Sequence, residues 1–195
     1  MIRLLKNFSY TILSNLGNAL VSMLVVFIIP KIISPHDYGM FQIFLFYFSY
    51  AGLIQFGWLD GIYLRYGGAY YSNLDKSMVR GQFQLYTTVQ TIICLVVELY
   101  ALFFMNGPFV LLTSLVVIGV LATNEKTFFQ FILQLTNRIS EFSISAILSA
   151  LIYALLVILF LISNLHNYYL FIWANIIGQI CALVYGIYTC RDIFL

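Results

Sequence analysis

The sequence has few charged side chains. Only 8% of its 195 residues are Asp, Glu, Lys or Arg, and 63% are hydrophobic. Soluble domains carry about 25% charged residues, so this chain cannot cover a water-facing surface. The composition therefore excludes a soluble globular domain and predicts an integral membrane protein. A net charge of +2 is too small to suggest nucleic-acid binding.

Cysteine and histidine are also scarce. The three cysteines, Cys94, Cys181 and Cys190, lie in or at the end of apolar runs without CxxC spacing, which argues against a disulfide framework or a zinc site. His36 and His166 have no nucleophile or metal ligand at a useful spacing. GxSxG, HExxH and P-loop motifs are missing from the sequence. We therefore expect neither enzymatic activity nor a bound metal or cofactor.

Long apolar runs are what the sequence does contain. Each has about the 20 residues that a helix needs to cross a hydrocarbon core about 30 Å thick. They predict an all-α, single-domain bundle of six transmembrane helices over residues 1–195. The predicted spans lie near 8–33, 40–64, 82–105, 109–133, 142–163 and 168–189. The first run is too long for the core of a signal peptide, so we expect it to be retained.

The positive charges are distributed unevenly between the two ends of these spans. Lys31 is the only cation at one end. The other end collects seven: Arg3, Lys6, Arg65, Lys76, Arg80, Arg138 and Arg191. Basic residues concentrate on the cytoplasmic side of membrane proteins, so the pattern predicts that both termini are cytoplasmic.

Four charged residues fall within or near the predicted spans: Asp60, Glu98, Glu125 and Lys126. A charge at the bilayer centre costs at least about 2.5–3.5 kcal/mol, so each should be paired, neutralised or facing water. The three acids are candidates for ion coupling or are simply buried charges. Glu125 has apolar neighbours, and it must contact another helix, be protonated or lie nearer the interface.

Polar residues recur at steps of three or four, which places them on one face of a helix. We expect these faces to point into the bundle or a wet cavity, and the alternative is helix–helix association without transport. Gly178, Ala182 and Gly186 predict close helix packing. The polar stripes are Thr11, Asn15, Asn18 and Ser22; Gln84, Thr87, Thr91, Cys94 and Glu98; Thr123, Lys126, Thr127, Gln130 and Gln134; Glu141, Ser145 and Ser149; and Asn175, Gln179 and Ala182.

The segment PKIISPHDYGMFQIFLFYFSYAGLIQFGWLDGIYLRYGG resembles the start of the Wzx-type polysaccharide and O-antigen flippases. In that family the first span ends in a basic residue and a Gly-Pro-acidic-Tyr-Gly turn, and the second ends in small residues followed by Arg-Tyr. The matching positions here are Lys31, Pro35-His36-Asp37-Tyr38-Gly39, Gly57, Gly61, Arg65 and Tyr66. Asn137-Arg138-Ile139 with Glu141-Phe142 is similar to the family's link between spans four and five.

The resemblance implies one half of a twelve-span transporter of the multidrug/oligosaccharidyl-lipid/polysaccharide exporter superfamily. Such a protein would export lipid-linked oligosaccharide across the bacterial cytoplasmic membrane by alternating access. Lys31, Arg65 and Lys126 would bind the anionic substrate, and a second six-helix bundle would be a partner. The sequence stops where a linker to that bundle would begin, as expected of a truncated, split or fragmentary gene product.

Two other functions stay open at this point. One is a six-span channel-like or structural subunit that oligomerises through the last span. The other is a membrane enzyme acting on lipid-linked sugars, which ranks last because no carboxylate pair or histidine cluster lies near one surface.

Overall fold

The computed structural model describes residues 2–194, without the side chains of residues 2–8, 10, 13, 14, 22 and 24. Within that part the chain is helical, with no β-strand. Four short 3-10 turns separate the helices or follow them: Ile29–Lys31, Ala51–Gln55, Tyr71–Asn73 and Arg191–Ile193. The seven α-helices are α1 Ile2–Ile28, α2 Pro35–Ser49, α3 Trp58–Tyr66, α4 Lys76–Phe104, α5 Gly107–Leu135, α6 Ile139–Ile162 and α7 Tyr168–Thr189.

Helices α4, α5, α6 and α7 are each long and apolar enough to cross a membrane. The pair α2 and α3 passes the same test as a unit but bends by 49° between its parts, so four or five helices fit a bilayer. This agrees with the all-helical prediction. Among the described residues, the apolar stretch Asn15–Lys31, in α1 and the turn that follows it, is shorter than a full span. Ser22, Arg3 and Lys6, which entered the predictions for this region, have side chains outside the described part.

Hydrogen-bonding side chains fix the starts of several helices. The Ser34 hydroxyl accepts from the Asp37 amide at 3.1 Å, and Pro35 provides the fixed φ that suits a first helical turn. Asp75 caps α4 by accepting from the Met78 amide at 3.1 Å. The helices begin a few residues before the predicted spans, because a cap lies in polar sequence whereas the predicted span begins where the apolar run begins.

Helix α5 packs against α2, α3, α4, α6 and α7, while α7 also packs against α6 and α2, and α1 packs on α6. The small residues Gly178, Ala182 and Gly186, which we call the small-residue ladder, allow α7 to pack closely against α6 and α5. A Cβ at Gly178 would lie 2.6 Å from the Ser149 carbonyl oxygen of α6, and one at Gly186 would lie 2.8 Å from Cβ of Phe129 in α5. Ala182 between them is fully buried. The prediction of close packing is confirmed.

Polar contacts hold the end of the bundle that contains Arg138. Arg138 pairs with Glu141, and its guanidinium lies 4.5 Å from the Tyr71 ring centroid. The hydrogen bonds that Arg138 donates to Glu141 raise the pKa of Arg138. The C-terminal turn joins this end, because Arg80 donates to the Ile193 carbonyl at 2.6 Å. Burial raises the pKa of Tyr71 to about 12.

Candidate functional site

The helix over the second apolar run is interrupted near its middle. Helix α2 ends at Ser49, the 3-10 turn Ala51–Gln55 follows, and α3 begins only at Trp58. Phe56 and Gly57 adopt left-handed conformations, with φ of 48° and 70°. A left-handed non-glycine residue is uncommon and costs on the order of 1–3 kcal/mol, so surrounding contacts must hold it. Where one continuous helix was expected, the backbone carbonyls are freed from the helical ladder.

A cluster of three side-chain amides satisfies those carbonyls, and we call Gln55, Gln90 and Asn124 the amide cluster. Asn124, fully buried on α5, donates to the Ala51 carbonyl at 3.1 Å and to Gln90 Oε1 at 3.0 Å. Gln90 on α4 donates to the Ile54 carbonyl at 2.9 Å. Gln55 donates to Asn124 Oδ1 at 2.9 Å. Broken helices are tolerated at membrane depth only where neighbouring groups satisfy the backbone in this way.

The predicted residue Arg65 lies beyond the interruption, in the last turn of α3. It is exposed and helps to line a cavity of about 270 Å³ between α3 and α4, together with Trp58, Tyr66, Met78 and Gln82. Trp58 Nε1 donates to Gln82 Oε1 at 3.0 Å and fixes one wall. Arg65 therefore borders a cleft and does not reach the interior of this bundle.

Glu125 contacts another helix, one of the three alternatives predicted for it. Its carboxyl is buried, with 8% of the residue exposed, and Thr87 Oγ1 on α4 donates to its Oε2 at 2.7 Å. Its Oε1 has no hydrogen-bond partner among the residues that the structure describes. Because Asn124 precedes it on α5, Glu125 lies directly beside the amide cluster.

Of the other two predicted acids, Glu98 shares one feature with Glu125, because its Oε2 is also buried without a partner among the described residues. Glu98, farther along α4, accepts from the Ser114 hydroxyl of α5 at 2.5 Å, at a small cavity of about 270 Å³. Asp60 is exposed in the first turn of α3. Its carboxylate there is well placed against the positive end of the helix dipole.

Lys126 contacts a different helix from Glu125, because consecutive residues of an α-helix point about 100° apart. Its ammonium group is enclosed by protein atoms, although the residue keeps some accessible surface. Nζ donates to Gln179 Oε1 on α7 at 2.7 Å. The ion pairs within the described part join His36 to Asp37, Lys76 to Asp192 and Arg138 to Glu141. Lys126 thus has a neutral hydrogen-bond partner and takes part in none of these ion pairs.

Further polar groups line the same interface of α5 with α6 and α7. Gln130, one turn along from Lys126, donates to the Ser145 hydroxyl at 3.2 Å. Thr123 Oγ1 and Asn175 Oδ1 are buried without a partner among the described residues. The predicted stripe on the fourth span therefore faces inward at Thr123, Lys126 and Gln130.

Lys31, the third predicted cation, is exposed at the end of the Ile29–Lys31 turn. The expectation that all three cations face the bundle interior is met by Lys126 but not by Lys31 or Arg65. Both lie at the ends of apolar helices, where a long side chain reaches water more cheaply than it enters the packed core.

Comparisons with protein-family models, with curated proteins and with solved structures find no match to this chain.

The amide cluster was missed by the sequence reasoning. Its signal was present, because Gln55, Phe56 and Gly57 place an amide and a glycine in the middle of an apolar run. A polar side chain next to glycine at mid-span is a reason to expect an interruption. Gln90 lies between Thr87 and Thr91 of the predicted stripe on α4, and Asn124 lies two residues before Lys126, but neither is a member of a predicted stripe.

Proposed function

We propose that this chain is one six-span bundle of a transporter that moves lipid-linked oligosaccharides across the bacterial cytoplasmic membrane. Helix α1 and the pair α2–α3 would each count as one span, with α4 to α7 as the other four. Both termini would be cytoplasmic, as the distribution of cations predicts.

Lys126 is the observation that carries this proposal. An enclosed cation without an acidic partner is costly inside a membrane protein and is by default a functional residue. The lipid-linked substrate presents an anionic pyrophosphate, and attraction between opposite charges strengthens as the dielectric falls. Because Gln179 is neutral, a protonated Lys126 would have no acidic partner to compete with such an anion.

The interruption between α2 and α3 also supports transport. Secondary transporters build their sites at discontinuous helices, and two bundles rock about a site between them. Arg65 borders the cleft beside α3, and Lys31 lies at the end of the first predicted span, just before α2. Together they would bracket the path of an anionic headgroup, with a second bundle supplying the facing wall.

The alternative of a subunit that oligomerises through the last span has less support. Gly178 and Gly186 already pack against α6 and α5 of the same chain. The small-residue ladder is therefore used within the bundle and does not offer a free surface for a second copy.

The test is complementation of a flippase-deficient bacterial strain by this chain alone and by a fusion to a second six-span bundle. We expect export from the fusion only. Lys126→Gln should abolish it, whereas Lys76→Gln, which removes a surface cation paired with Asp192, should not. Export by a fusion that carries Lys126→Gln would refute the role of Lys126, and export by the single chain would refute the need for a partner.

The orientation can be tested in the same strain. A cysteine introduced by Asp37→Cys should react with a membrane-impermeant maleimide from outside, and one introduced by Asn73→Cys should react only after the cells are opened. The reverse pattern would invert the proposed topology.

A further inference from the structure

We propose that the Glu125 carboxyl is a proton-binding site whose proton is released when the interruption between α2 and α3 opens to water. For a role in coupling, this inference rests on the proposed transport function. The site itself is a matter of geometry within α4, α5 and the Ala51–Gln55 turn.

The first step is the environment of the carboxyl. Glu125 is 8% exposed, and only Oε2 has a donor, the Thr87 hydroxyl at 2.7 Å. An ionised carboxylate needs donors on both oxygens or a cation beside it. Oε1 has neither among the described residues. The closed arrangement therefore favours the neutral acid.

The second step concerns the groups that face Glu125 from each neighbouring element. On α4 the titratable neighbours are Tyr86 and Cys94, which are neutral when protonated. The Ala51–Gln55 turn has no titratable side chain. Lys126, the next residue on α5, turns toward Gln179 of α7. No cation among these neighbours offsets a negative charge on Glu125, so the carboxylate is neutralised by binding a proton.

The third step links the proton to the interruption. Asn124 precedes Glu125 and donates a hydrogen bond to the Ala51 carbonyl. The same turn of α5 therefore carries both the residue that holds the interruption and the carboxyl group. If the amide cluster parts, water can reach Oε1 and stabilise the carboxylate. The reaction is then R–COOH + H₂O → R–COO⁻ + H₃O⁺, and closing reverses it. Proton binding to Glu125 would thereby favour the state in which the amide cluster is intact and water is excluded.

Infrared spectroscopy of the full chain reconstituted in lipid tests the site directly. At pH 7 we expect a carbonyl band of a neutral carboxyl that Glu125→Gln removes. Asp60→Asn changes an exposed acid close to the interruption and should leave the band unaltered. Glu98→Gln changes the other acid that has a buried oxygen, and the Glu125 band should remain in this variant as well. A band that survives Glu125→Gln, or no band at pH 7, would overturn the proposal.

Thr87→Val keeps the test decisive if Glu125→Gln does not fold. It removes the donor to Oε2, so the band should persist and shift to the higher frequency of a carbonyl without a hydrogen bond. An unshifted band would belong to another group and would reject the assignment. Replacing Na⁺ by N-methylglucamine at constant pH should have no effect, and a band that responds would indicate a sodium site in place of a proton site.

The coupling has its own measurement. Hydrogen exchange of the backbone amides of residues 51–57, corrected for the intrinsic rate, should become faster above neutral pH in the native chain. Glu125→Gln should abolish this rise. Exchange that responds to pH equally in both proteins would overturn the link to the interruption. None of these readouts requires export, so the flippase proposal can fail while the proton site stands, and unaltered export by a Glu125→Gln fusion would remove the coupling role alone.

Discussion

Asn124 Nδ2 donates to the Ala51 carbonyl at 3.1 Å, across 73 positions of sequence, and so joins the centre of α5 to the interrupted helix. The same amide group binds Gln90, and its oxygen accepts from Gln55. One side chain therefore makes three hydrogen bonds that no single neighbour could replace. The interruption is a fixed structural element because its freed carbonyls are bound from two helices.

Replacing Asn124 should therefore destabilise the fold. Asn124→Leu would leave the Ala51 carbonyl, Gln90 Oε1 and Gln55 Nε2 without their partners in a buried site, at a cost of about 1–3 kcal/mol for each unsatisfied group. We expect a clear drop in the unfolding temperature in detergent. Gln134→Leu, which changes an exposed amide on the same helix, is the control. Equal stability of both variants would mean that the amide cluster contributes nothing.

Gly57 should be the least replaceable residue of the interruption. Its φ of 70° lies in the left-handed region, where a Cβ costs roughly 1–2 kcal/mol. Gly57→Ala should lower stability by about this amount. Gly52→Ala is the matched control, since Gly52 lies in the adjacent Ala51–Gln55 turn, with no atom within 4 Å of its would-be Cβ and without a left-handed φ. If the two alanine variants unfold alike, the left-handed geometry does not hold in solution.

These residues show which parts of the molecule the sequence could predict. The helices follow from apolar length and helical stripes, so α4 to α7 were predicted within a few residues, and Lys126 was predicted to face inward. The interruption was not predicted, because it depends on hydrogen bonds between residues far apart in sequence. Gln55 and Gly57 mark the place in the run where a break could occur, but no local signal tells which residues of α4 and α5 donate to the freed carbonyls.

The placement of the cations had the same limit. Several polar residues share one face of α5 with Lys126, and together they predict the direction of that face better than one residue could. Lys31 and Arg65 were predicted from their position at span ends, which does not determine a side-chain direction. Whether they line a path depends on what packs against the exposed surface of this bundle.

The contact between α6 and α7 gives a sharp test of the packing. A side chain at Gly178 would meet the Ser149 carbonyl at 2.6 Å, a backbone atom that cannot rotate away. Gly178→Ala should force the helices apart and cost about 1–3 kcal/mol, as overpacking does in other cores. Gly81→Ala, in α4 with open space around it, should be neutral or slightly stabilising. Unfolding followed by circular dichroism measures both.

Cys190 should resist alkylation in the folded protein. It is fully buried, and burial raises its pKa from an ordinary 9.0 to about 11. A raised thiol pKa means less thiolate at a given pH, so at pH 9 only about one molecule in a hundred would be ionised there. With the other two cysteines changed to serine, maleimide labelling at pH 7–9 should be slow until the chain is unfolded. Arg191→Cys in a Cys190→Ser background gives an exposed neighbour for comparison, and equal rates would contradict this packing.

Lys126 offers the clearest separation of function from stability. If its charge serves an anionic ligand, its burial beside the neutral Gln179 is a cost to the empty fold. Lys126→Met keeps the length of the side chain and removes the charge, so the unfolding temperature should stay the same or rise while export by the two-bundle fusion is lost. Gln179→Leu leaves the ammonium without its hydrogen bond and should lower stability by about 1–3 kcal/mol, the cost of an unsatisfied buried group. If Lys126→Met proves to be the destabilising change, Lys126 holds α5 to α7, and the anion-binding role must be assigned elsewhere.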